Sequence, residues 1–161
     1  MINRALALAA ALALVVPVLA EAAHSGSRGS DRVPSARLQA MGSGAMTVTG
    51  RLVVTGTIPD GGQVVVIDRR GDATAYLAGT PLEFRRRRAR VQRASGILFV
   101  TGSKVSVQVL GVDLTFSIAG NGRARLRGAG TYRLNDGPER AWGRRAIKVS
   151  PSAKKRRPDR R

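Results

Sequence analysis

The chain has no cysteine and a single histidine, His24. The first absence excludes disulfides, thiolate metal sites and cysteine nucleophiles. The second excludes a Ser-His-Asp constellation, because His24 sits in a polar stretch near the N-terminus, away from any packed pocket. It also excludes a zinc site built from several imidazoles or thiolates. Neither a metal nor an organic cofactor is expected. Aromatic residues make up only 4% of the sequence, which leaves few rings for stacking on a ligand. Acidic residues are scarce too: 10 against 28 Lys and Arg, for a formal net charge of +18 over 161 residues. A field this positive favours polyanions, and it also keeps a protein soluble.

The N-terminus reads as an export signal. Arg4 precedes an uncharged apolar run from Ala5 to Ala20, and Ala20-Glu21-Ala22 supplies small residues around a cleavage point near Ala22 or Ala23. The run is shorter than the roughly 20 residues a membrane-spanning helix needs. Residues 1–23 are therefore expected to be a secretory signal peptide in helical form. The protein is expected outside the cytoplasm, secreted or in the periplasm or cell envelope. With no disulfide available there, the fold must rest on its core.

Residues 24–44 are rich in Ser, Gly and Arg and lack a sustained apolar period, so they read as a flexible lead-in. Residues 45–149 read as one β domain, all-β, a small antiparallel β-sandwich or meander of about 8–10 short strands. Residues 150–161, SPSAKKRRPDRR, read as a disordered basic tail.

Within the domain the period is two. Val48, Leu52 and Val54 share a face opposite Thr47, Thr49, Arg51 and Thr55. Gly50 falls on the inner face, where it marks a bulge or a close backbone approach. Pro59-Asp60-Gly61-Gly62 and Asp68-Arg69-Arg70-Gly71-Asp72 read as turns, the second with ordinary turn chemistry. Gln63 to Ile67 is a β-branched run expected to be covered on both sides. Val105, Val107 and Val109 face in, and Val112, Leu114, Phe116 and Ile118 face in after a change of parity. That change requires either a tight turn near Leu110-Gly111, pairing Val109 with Val112, or a β-bulge. A three-residue loop at Gly120 to Gly122 would match Ile118 with Ala124 and Phe116 with Leu126. Trp142, Ile147 and Val149 read as core or rim residues. Matches about 51 residues apart, such as Val48-Thr49-Gly50 with Val100-Thr101-Gly102, raise an internal duplication.

The function-bearing candidates are cationic. Arg86, Arg88 and Arg90 read as the outer face of a basic edge strand, or of a basic loop running into one, and Arg123, Arg125 and Arg127 as an arginine ladder about 7 Å in pitch. Lys154, Lys155, Arg156 and Arg157 form the charge run of the tail. Together they suggest a non-catalytic, exported, envelope-associated protein that holds an anionic wall polymer or an anionic lipid surface. No specific nucleic-acid recognition is expected, and the protein is expected to be a monomer. Two other readings compete. One is a carboxylate-dependent hydrolase of wall polysaccharide, drawing on Asp60, Asp68, Asp72, Glu83, Asp113, Asp136 and Glu139. The other is a structural envelope protein that self-associates through strand edges, which Arg-rich edges oppose.

Overall fold

The computed structural model describes residues 36–151; the expected signal peptide and Lys154 to Arg157 of the tail lie outside them. Among the described residues there is no helix, and every strand pairing is antiparallel. Two long strands dominate, β1 (Ala36–Asp68) and β4 (Arg88–Leu134). Four short ones complete the sheet: β2 (Thr74–Leu77), β3 (Thr80–Pro81), β5 (Arg140–Trp142) and β6 (Ile147–Val149).

The short strands expected from the sequence are segments of the two long ones. β1 and β4 form an antiparallel ribbon that winds back against itself. Gly120, for example, pairs with Ala36 on one side and with Leu52 on the other. The winding sorts the segments into two groups. In the first, 130–134, 36–42, 114–120, 52–58 and 96–102 lie side by side, with β5 beyond one end and β2 beyond the other. In the second, 122–128, 44–50, 105–111, 62–68 and 88–91 lie side by side, with β6 beyond 122–128. Each long strand therefore passes from one group to the other every few residues.

One parity makes this possible. Even-numbered positions of β1 face in along its whole length: Leu38, Met46, Val48, Val54, Val64 and Val66 are all buried. β4 cannot hold one parity, because three times it spends two residues against one of β1. Gln92 and Arg93 stand against Gln63, Ser103 and Lys104 against Arg51, and Val112 and Asp113 against Ser43. Each is a β-bulge, and each resets the inward set, to Ala94, to Val105 and to Leu114. Inward side chains from both groups make a single hydrophobic cluster. Full burial of each large aliphatic side chain contributes about 1.5–3 kcal/mol, which is what a chain without disulfides must rely on.

The parity change after Val109 is thus the bulge and not the tight turn. Asp113 takes a left-handed φ of 50°, and its N–H donates to Ser43 Oγ at 3.0 Å. Val112, expected inside, is the exposed bulge residue. The Gly120 to Gly122 loop is likewise absent. The strand runs on, Ile118 pairs with Leu38 and Val54, and Ala124 pairs with Val48. The faces were nevertheless right: Phe116, Ile118, Ala124 and Leu126 are buried. Pro59 to Gly61 is a corner opposite Ser95 and does not reverse the chain.

Glycine places the ribbon's corners. Gly50 pairs with Gly122, and Gly42 with Gly130. A Cβ on Gly50 would strike the Asn121 carbonyl oxygen, and one on Gly122 would strike that of Thr49. The backbones cross so closely there that neither side admits a side chain.

Two domain boundaries shift. β1 begins at Ala36, so residues 36–44, expected to be a flexible lead-in, are paired strand. Their inner face carries Ala, Leu and Gly while Met41 points out, which blunts the apolar alternation. At the other end, Pro151 is buried and its carbonyl accepts from Gly122 N–H at 3.0 Å, so the ordered fold runs past Val149. The duplication finds no structural echo: Val48-Thr49-Gly50 lies in the second group and Val100-Thr101-Gly102 in the first.

Candidate polyanion-binding face

The register of the second group aligns residues far apart in sequence. Opposite residues of an antiparallel pair point to the same side. One row runs Lys148, Arg125, Thr47, Gln108, Val65, Arg90. The next runs Arg123, Thr49, Ser106, Ile67, Arg88. A third begins Arg127, Ala45, Leu110, Gln63. Each of the first two rows starts and ends on a cation.

The outer face is therefore a neutral strip between two basic margins. At about 4.8 Å per strand, Arg125 and Arg90 stand on the order of 19 Å apart. Along the first margin, Arg123, Arg125 and Arg127 repeat at about 7 Å. Arg88, Arg90, Arg123, Arg125 and Arg127, which form the two margins, are all exposed. The floor is Thr, Gln, the buried Ser106, the exposed Leu110 and the half-buried Ala45, Val65 and Ile67, the last two expected to be covered on both sides. No carboxylate stands in the three rows. Glu83 comes nearest, lining a groove with Arg85, Arg88 and Arg90 at the second margin. It forms no ion pair with them: among the described residues the single ion pair is Arg133 with Glu139, at 3.8 Å.

Of the sequence candidates, Arg88, Arg90, Arg123, Arg125 and Arg127 thus share one face. Arg86 does not stand on the strand. Arg85 and Arg88 bridge each other, and Arg86 and Arg87 between them both take positive φ, 48° and 65°. That is the backbone of a two-residue hairpin turn, here without glycine or asparagine. The strand proper therefore starts at Arg88; it pairs along 88–91 with 64–67, and on its other side only Arg88 is bridged, by Arg85. Lys148 joins the face unannounced. In sequence it is an isolated lysine, and only the pairing of β6 with β4 brings it beside Arg125.

Three of the carboxylates, Asp68, Asp72 and Asp113, are held in structural hydrogen bonds. Asp68 caps the turn that leaves β1. Its Oδ1 accepts from Gly71 N–H at 2.7 Å and Arg70 N–H at 3.0 Å, and its Oδ2 from Ala73 N–H at 2.9 Å. Burial alone would raise its pKa, but these bonds and that from Asp72 N–H outweigh it and hold the pKa below the usual range. Asp72 accepts from the backbone N–H of Ser103 at 3.2 Å. Its pKa is lowered, chiefly by hydrogen bonding to Ser103, side chain first and then backbone. Asp113 is engaged with Ser43 at the bulge. The neutral strip holds none of these groups.

No protein-family model matches the chain, and no curated protein or solved structure matches it either.

Proposed function

We propose that this is an exported, non-catalytic β-sandwich protein of jelly-roll winding, associated with the cell envelope, that holds anionic polymer on the outer face of its second strand group. The two segment orders fit the double-sheet jelly roll, in which a hairpin winds around a single core. The observation that carries the functional reading is the row from Arg125 to Arg90. Two arginine-rich segments, far apart in the chain, arrive at opposite margins of one face whose rows contain no carboxylate.

A flat face of this kind suits a flexible polymer better than a small molecule, since it supplies repeated charges and no enclosing pocket. Guanidinium groups suit it further, because they bind phosphate, sulfate or carboxylate in a planar fork. Exposed arginines held on strands lose less freedom on binding than those on an unstructured segment do. The tail cations Lys154, Lys155, Arg156 and Arg157 add a sequence-independent contribution.

The test is retention of the purified chain on a sulfated-polysaccharide resin. Elution well above physiological salt is expected, and it should move to lower salt when Arg123, Arg125 and Arg127 are changed to Gln. Elution at or below physiological salt would overturn the proposal. So would retention that only the tail substitutions reduce.

A further inference from the structure

The outer face of the first strand group has the opposite character. Its middle row runs Arg133, Gln39, Ser117, Thr55, Phe99, Tyr76. At about 4.8 Å per strand, that row is on the order of 24 Å long. One end holds the Arg133–Glu139 pair, whose charges cancel. The centre holds an amide and two hydroxyls. The far end holds two exposed rings with centroids 6.4 Å apart, tilted by 44°. A groove of about 450 Å³ opens over the first four positions and takes in Thr115 beside them.

Two features of this face point to a ligand. Most of the exposed large apolar side chains of the described residues gather here: Met41, Val53, Tyr76, Ile97 and Phe99. A cluster of that kind marks a binding surface more often than chance exposure does. Interleaved with it, Gln39, Thr55, Thr115 and Ser117 present groups that both donate and accept hydrogen bonds. Among the described residues no side-chain hydrogen bond engages any of the four.

From this we infer a second site, independent of the basic face: a groove that binds a neutral oligosaccharide lying across the strands. Such a chain offers hydroxyls that donate and accept in turn, which matches the amide and hydroxyls of the row. Its C–H faces match the Phe99 and Tyr76 rings. It carries no charge, as the groove carries no net charge. A groove of this volume falls within the range typical of small-ligand sites. An apolar protein surface would leave the hydroxyls of Thr55 and Ser117 covered and unpaired, which costs free energy. A polyol does not.

The full chain, labelled with ¹⁵N, is titrated with neutral hexasaccharides of glucose, xylose, mannose and N-acetylglucosamine. At least one is expected to shift the amides around Gln39, Thr55, Phe99 and Ser117 saturably, with a Kd of about 1 mM or tighter. Tyr76→Ala with Phe99→Ala is expected to weaken binding about tenfold or more, a loss of about 1.4 kcal/mol. Thr55→Val keeps shape and removes one hydroxyl, so it tests the site even if the double variant misfolds; about threefold weakening is expected. Neutralising Arg123, Arg125 and Arg127 should change nothing here, which separates this site from the basic face. The inference fails if no sugar binds at millimolar concentration, or if the shifts map elsewhere. It also fails if the face proves to be covered by a second copy of the chain, seen as a concentration-dependent dimer with these same amides protected.

Discussion

Arg125 and Arg90 stand four pairings apart in one row: Arg125 faces Thr47, Thr47 faces Gln108, Gln108 faces Val65, and Val65 faces Arg90. Four strands' worth of register thus turns two separate runs of arginine into the two margins of a single face. The relationship depends on the winding of the ribbon, so the corners of the ribbon matter to the face.

The first expectation concerns those corners. Gly50 has φ of 146°, and both it and its partner Gly122 press against carbonyl oxygens. Gly50→Ala and Gly122→Ala should each destabilise the fold by about 2–4 kcal/mol, combining a crossing that must open with, at Gly50, an unfavourable φ. Gly143→Ala is the control. Nothing lies near its Cβ and its φ is not positive, so its effect should stay within about 0.5 kcal/mol. Denaturant unfolding followed by the emission of buried Trp142 measures all three.

The second concerns the turn at Arg86 and Arg87. Two arginines with positive φ are strained where Asn-Gly would not be. Replacing the pair by Asn-Gly should raise stability by about 0.5–1 kcal/mol. Retention on a sulfated resin should fall only slightly, because Arg86 and Arg87 stand in the turn and not in the rows. A thermal melt shows the first effect and a salt gradient the second.

The third concerns acid. The folded-state pKa of Asp68 lies below its ordinary value because backbone N–H groups hold the carboxylate. Stability from this group is therefore present above the unfolded pKa, near 3.9, and is lost as pH falls through the lower folded value. Asp68→Asn keeps one acceptor for Arg70 and Gly71 but sets an NH₂ against the Ala73 N–H. It should cost about 1–2 kcal/mol at neutral pH and flatten the acid limb of the stability curve. Urea titrations between neutral pH and pH 2 to 3 would show it; an unchanged acid limb would contradict the capping role.

Much of this was legible in the sequence, and most of what was missed has one physical cause. Alternation assigns faces, and the faces of Val48, Val54, Phe116 and Leu126 follow from it. Alternation says nothing about partners. A glycine at a corner and a glycine in a hairpin satisfy the same local rules, so Gly120 to Gly122 read as a loop when the strand turns a corner there and stays paired. Bulges were visible as breaks in parity only where both flanks are strongly apolar, as from Val109 to Leu114. At Ser103 and Lys104 the signal is weaker. The arginine ladder was legible as a ladder. That Arg88 and Arg90 share its face was not, because the shared face is fixed by 44–50, 62–68 and 105–111 lying between. Lys148 was invisible for the same reason.

The most direct test of the account treats the two margins as one surface. Binding of the full chain to a sulfated polysaccharide is measured against salt for the parent, for Arg123→Gln/Arg125→Gln/Arg127→Gln, for Arg88→Gln/Arg90→Gln, and for the combination. Each margin's loss should weaken binding and lessen the salt slope, since each releases fewer counterions. The combined variant should bind weakest, with the smallest slope. If neutralising either margin leaves both affinity and slope at the parent's values, the face is not the binding surface.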